Sequence, residues 1–93
     1  MDIKVKLKNK NIIVSELTDD LYVDNIVLMY DDESPYMFCK VKSVDSSITD
    51  IEPGDILVVR RYAKEEFISN LYFVAEQDVR CIIKEEEYER LIS

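Results

Sequence analysis

The sequence predicts an all-β domain, and three observations carry that reading. Val and Ile together number 21 against two Ala and seven Leu, and β-branched side chains suit a pleated, half-buried surface better than a helix. Apolar and charged residues alternate at period two, first as Ile3, Val5 and Leu7 against Lys4, Lys6 and Lys8, then as Cys39 and Val41 against Lys40 and Lys42. Turn residues punctuate the apolar runs, most clearly at Glu52-Pro53-Gly54-Asp55. There proline presets φ for the second position of a type II turn and glycine supplies the positive φ of the third.

The elements follow in order. The first alternation gives a strand with its lysine row in solvent. Asn9-Lys10-Asn11 interrupts it, and Ile12-Ile13-Val14 resumes as a more buried segment. A second strand runs from about Met37 to Val44. The Pro-Gly turn feeds Ile56-Leu57-Val58-Val59, and two further apolar runs, 71–74 and 79–83, are separated by the polar Ala75-Glu76-Gln77-Asp78. Six short strands with turns between them point to a small barrel or sandwich. The extension at about 84–93 differs in character: its Glu-rich start and the spacing of Tyr88, Leu91 and Ile92 predict one or two turns of amphipathic helix packed on the core.

At 93 residues and 10.9 kDa the chain holds one domain, residues 1–93, with no room for a second core. No apolar run approaches the roughly 18 residues that span a bilayer, so no membrane segment is expected. The first six residues alternate charge with apolar side chains and do not read as a secretory signal. A cytoplasmic setting follows as the expectation. Cys39 and Cys81 each sit in an apolar stretch, which predicts two buried thiols and no disulfide.

Charge and composition exclude further classes. The net charge of -8 opposes nucleic acid, whose binding is driven by counterion release. There is no histidine, so the side chain best suited to proton transfer near neutrality is missing, together with the commonest zinc ligand. Gly54 is the single glycine, and both the P-loop and the dinucleotide fingerprint need several. The acidic residues lack the spacing and central glycine of an EF-hand. The sequence therefore predicts no catalytic residue, no cofactor and no metal site, and the chain does not read as an enzyme.

Residues 15–36 stand apart. They carry Glu16, Asp19, Asp20, Asp24, Asp31, Asp32 and Glu33 with no basic residue, whereas residues 1–14 carry four lysines against one aspartate. Such a stretch reads as a long solvated loop, and loops of this length in small domains are functional or disordered. Yet its middle, Ile26-Val27-Leu28-Met29-Tyr30, is apolar. Read from the residues alone, this is either a core strand or an apolar segment held out for a partner. Tyr22, Tyr30 and Tyr36 read equally as interface or local packing. Arg60-Arg61 reads as a solvated pair or as a partner for a neighbour's carboxylate.

The order of these features resembles the GroES-type co-chaperonin family, the lids of ring chaperonins, over nearly the whole chain. Asn11-Ile12-Ile13-Val14 resembles the family's opening strand, and Ile26-Val27-Leu28 resembles the docking tripeptide of its mobile loop. The run from Phe38 to Val44 resembles the Gly-Glu-Val-Leu-Ala-Val-Gly strand. Pro53-Gly54-Asp55-Ile56-Leu57-Val58-Val59 resembles the Val-Gly-Asp-x-Val strand, and the run from Ala75 to Ile83 resembles the closing Ser-Glu-x-Asp-Ile-x-Ala-Ile-Val. The chain departs from the family in three places. Asp24-Asn25 stands where two glycines usually precede the tripeptide, the stretch between Val44 and Pro53 is short for a roof hairpin, and the C-terminal extension runs past the family's end.

The resemblance implies a GroES-like, partly open β-barrel with a long loop at about 15–36. It implies a co-chaperonin that assists protein folding by docking Ile26, Val27 and Leu28 on a GroEL-like ring chaperonin. It further implies a homo-oligomeric ring, a heptamer in the family, closed by pairing of terminal strands. The alternative is a phage or prophage structural or adaptor protein with the same barrel and no chaperonin binding.

Overall fold

The computed structural model describes residues 6–23 and 26–90. Among these residues nine strands follow one another: β1 (Asn11–Glu16), β2 (Leu21–Val23), β3 (Ile26–Leu28), β4 (Tyr36–Val44), β5 (Ile56–Arg60), β6 (Glu65–Ile68), β7 (Leu71–Ala75), β8 (Val79–Ile83) and β9 (Tyr88–Arg90). Single 3₁₀ turns occupy Arg61–Ala63, Glu76–Asp78 and Glu85–Glu87. All pairings are antiparallel. A six-stranded sheet has the order β6-β7-β1-β4-β5-β8 and a three-stranded sheet the order β3-β2-β9. Among the described residues the outer strands β6 and β8 do not pair with each other, so the large sheet is not a closed barrel.

The period-two reading of β4 holds. Met37, Cys39 and Val41 are buried, while Lys42 is exposed. In β1, Ile12, Ile13 and Val14 are all buried, so both faces of this central strand, which pairs with β4 on one side and β7 on the other, are covered. Ile12 and Val14 join Leu57, Val59 and Val74 in the main core, while Ile13 is buried outside that cluster. A second, smaller core of Leu17, Leu21, Ile56 and Ile83 takes Val23, Leu28, Phe38 and Tyr88 against it, and this cluster fastens the small sheet to the large one.

The Pro-Gly turn forms as the sequence predicts. Gly54 has φ +98°, and Asp55 N–H donates to Glu52 O at 3.1 Å. The turn is pinned to β4 by Gly54 N–H to Val41 O and Val41 N–H to Asp55 O, each 2.9 Å.

Three expectations are corrected. The C-terminal helix does not form: after the turn at Glu85–Glu87 the chain enters β9, which pairs with β2. An isolated helix so short is marginal in water, whereas β9 supplies β2 with a second row of ladder hydrogen bonds. Leu91 and Ile92 lie outside the described residues. The segment 15–36 is not one long loop, because β2 and β3 form within it and six predicted strands become nine. Cys81 is exposed rather than buried. The β5–β8 register slips where Val58 faces Cys81 and Val59 faces Val79, so a bulge at Arg80 breaks the alternation and leaves both Arg80 and Cys81 outward. Of the predicted first strand, Ile3 and Val5 lie outside the described residues, and residues 6–8 belong to no strand.

Candidate docking surface

The hairpin β2–β3 aligns Leu21 with Leu28, Tyr22 with Val27 and Val23 with Ile26. Leu21 is fully buried and Leu28 packs on the smaller core, so that face is anchored to the body. On the other face Tyr22 and Val27 stand opposite each other and are exposed. Val27 is 45 % exposed and Met29, beyond the strand, 69 %, while Ile26, on the face of Leu28 but paired with Val23 at the far end of the hairpin, is 62 % exposed. The three residues singled out from the sequence therefore divide: Ile26 and Val27 are held in solvent, and Leu28 serves the fold. This is not a core strand, and neither is it an unpaired loop.

The return segment from Met29 to Pro35 is held by specific bonds. Tyr30 N–H donates to Asp20 Oδ1 at 2.7 Å, closing the base of the hairpin. Asp31 forms a local turn, accepting from Glu33 N–H at its side chain and from Ser34 N–H at its carbonyl. Arg61 then clasps the segment from below. Its Nε donates to Ser34 O at 2.9 Å, its Nη2 to Asp31 O at 2.9 Å and Tyr36 O at 3.2 Å, and its backbone N–H to Pro35 O at 2.8 Å.

The remaining guanidinium nitrogen, Nη1, donates to Glu16 Oε2 at 2.7 Å, and Lys64 Nζ lies 3.2 Å from Glu16 Oε1. Burial pushes the Glu16 carboxyl up, but the hydrogen bonds and charges of Arg61 and Lys64 outweigh it and hold the group below the ordinary carboxylate range. Arg61 is thus neither a solvated residue nor free for a neighbouring subunit, which corrects the reading of Arg60-Arg61. Arg60 lies over the Tyr36 ring at 5.4 Å.

Tyr30 and Tyr36 share a cleft of about 210 Å³ with Met29, Phe38, Glu16 and Arg61. That is below the roughly 300 to 1,000 Å³ of ordinary small-molecule pockets. Sequence reasoning placed Met29 in the apolar run but not among the docking residues, although it is exposed, and it missed the clasp at Arg61. The first was legible as a continuation of the apolar run. The second joins residues remote in sequence, and nothing local signals it. Among the described residues no helix is long and apolar enough to cross a membrane, and no three His, Cys, Asp or Glu side chains gather as a metal site would need. Compared with protein-family models, curated proteins and solved structures, the chain has no significant match.

Proposed function

We propose that the chain is a co-chaperonin-like lid that docks on a ring chaperonin through the β2–β3 hairpin and assists protein folding there. The observation that carries this reading is the exposure of Ile26 and Val27 at the position where the family resemblance puts its docking tripeptide. Covering the two side chains contributes roughly 1 to 2 kcal/mol each, given that part of each surface is already shielded. Because the hairpin is already ordered by pairing with β9, docking has less backbone entropy to lose than a free loop would. One such contact is still weak. A homo-oligomeric ring presenting several hairpins raises the affinity through effective concentration, by roughly 10² to 10⁴.

Capture by a purified ring chaperonin with bound nucleotide tests the proposal. The variant carrying Ile26→Ser and Val27→Ser retains Leu28, which packs on the core. It is expected to fold normally and to escape capture. Failure of the parent protein to be captured defeats the proposal and leaves the adaptor reading, which the pairing of β2 into a fixed sheet independently favours.

A further inference from the structure

Among the described residues the two sheets end in β6, β8, β3 and β9. An edge strand exposes unpaired N–H and C=O groups, and folded proteins defend such edges with charge, bulges or brevity. β6 carries exposed Glu65 and Glu66 and slips register against β7 between Glu66 and Ile68. β8 carries exposed Arg80 and the bulge described above. β3 is short but has neither of the other defences. It holds Ile26-Val27-Leu28 in regular register with β2, and its apolar row runs on into exposed Met29 and Tyr30. In sequence its flanks are acidic, at Asp24, Asp31, Asp32 and Glu33, and the nearby Arg61, which binds the Asp31 carbonyl, is already paired with Glu16.

We infer that β3 is an open edge for strand addition, and that the segment it receives is an extended apolar stretch of another protein flanked by Lys or Arg. The inference rests on the reading of Ile26–Leu28 as a docking segment and gives the chemistry of what meets it. An added strand satisfies the edge's backbone groups, and its apolar side chains cover Ile26 and Val27. Charge decides between the candidate occupants. Pairing β3 with β3 of a second copy brings together two segments each flanked in sequence by Asp24, Asp31, Asp32 and Glu33, with no basic residue within 15–36. A basic-flanked strand instead meets complementary charge, which speeds and orients its approach.

The test uses the full chain and three synthetic octapeptides, titrated by fluorescence anisotropy at low and raised salt. The first has the core Ile-Val-Val-Ile between paired lysines, the second the same core between paired glutamates, and the third the lysine flanks with both valines replaced by proline. The lysine peptide is expected to bind about tenfold or more tighter than the glutamate peptide, a gap of about 1.4 kcal/mol, and to weaken as salt rises. The proline peptide, with the same charge but without the central N–H donors, is expected not to bind. Val27→Lys, or Ile26→Lys should the first disturb folding, is expected to abolish binding with thermal unfolding unchanged.

Equal binding of lysine and glutamate peptides overturns the inference, as does a proline peptide that binds like its parent. Dissociation of a self-associated form by Val27→Lys also overturns it, since the edge then belongs to a second copy. Chaperonin capture without peptide binding sinks strand addition and leaves the docking proposal standing, and peptide binding without capture does the reverse.

Discussion

Arg61 Nη1 meets Glu16 Oε2 at 2.7 Å, so the last residue of β1 orients the guanidinium whose other donors hold the carbonyls of Asp31, Ser34 and Tyr36. Both side chains are largely covered, and removing one partner of such a pair leaves the other charge inadequately solvated. Arg61→Ala is expected to destabilise the fold by about 2 to 3 kcal/mol in urea unfolding. Arg61→Lys keeps a cation beside Glu16 but lacks the planar fork that reaches three carbonyls. Its signature is faster amide exchange over residues 31–36 with smaller loss of global stability. Equal exchange in parent and Arg61→Lys would show that the clasp does not order the segment.

The same carboxylate gives a pH dependence of definite sign. Glu16 has a folded-state pKa below its ordinary value of 4.5. The stability it contributes is complete above that value and is lost as pH falls through the lower folded value. Glu16→Gln is expected to lower stability at neutral pH and to flatten the decline of the urea midpoint on acidification. A variant with an acid limb parallel to that of the parent would assign the decline to other carboxylates.

The two thiols are expected to differ sharply in reactivity. Burial, reinforced by the nearby Glu16 charge, pushes Cys39 up to about 12, while Cys81 is exposed. A thiol reagent at neutral pH is expected to modify one cysteine in the native protein and the second only as the chain opens. In Cys81→Ser the remaining labelling rate then reports unfolding of the main core. Rapid native modification of that variant would contradict the buried placement of Cys39.

Which elements were legible follows from the range of the forces that make them. The turn at Pro53-Gly54 depends on φ preferences within four residues, and the faces of β4 depend on alternation within one strand, so both could be read locally. The small sheet could not. Leu21–Val23 gains its second partner from Tyr88–Arg90 near the other end of the chain, and the spacing of Tyr88, Leu91 and Ile92 fits a helix as well. Cys81 misled because the alternation of β8 is broken by a bulge that arises from pairing with β5. At the candidate docking surface the apolar tripeptide stood out against its acidic flanks. Its division into two exposed residues and one anchored residue depends on the smaller core beneath Leu28, which no local pattern encodes.

Gly54→Ala separates two sources of strain. A Cβ at Gly54 would lie 2.7 Å from Glu85 Oε2, and the backbone has φ +98°. The clash involves the tip of a flexible side chain, which can move aside, whereas the φ penalty cannot be relieved. The expected loss is about 1 to 2 kcal/mol, with nearly the same loss when Gly54→Ala is made in a Glu85→Ala background. Substantial recovery in that background, measured by urea unfolding of all four proteins, would place the penalty in the contact instead.

Lys84 is expected to give the alkaline counterpart of the Glu16 effect. Its ammonium donates to Asp55 Oδ2 at 2.7 Å, and the same carboxylate accepts from the backbone N–H groups of Glu52 at 2.9 Å and Glu85 at 3.3 Å. The hydrogen bond to Asp55 raises the Lys84 pKa above its ordinary 10.5 despite the opposing effect of desolvation. A group raised on folding contributes fully below its unfolded pKa and loses that contribution as pH climbs through the folded value. Stability should therefore decline above pH 10.5, and Lys84→Met should reduce stability at neutral pH while weakening that alkaline decline. Since Asp55 is 2 % exposed, it keeps its two backbone donors in the variant but loses its cation. A variant as stable as the parent at neutral pH would mean that those two N–H groups alone suffice to hold the buried carboxylate.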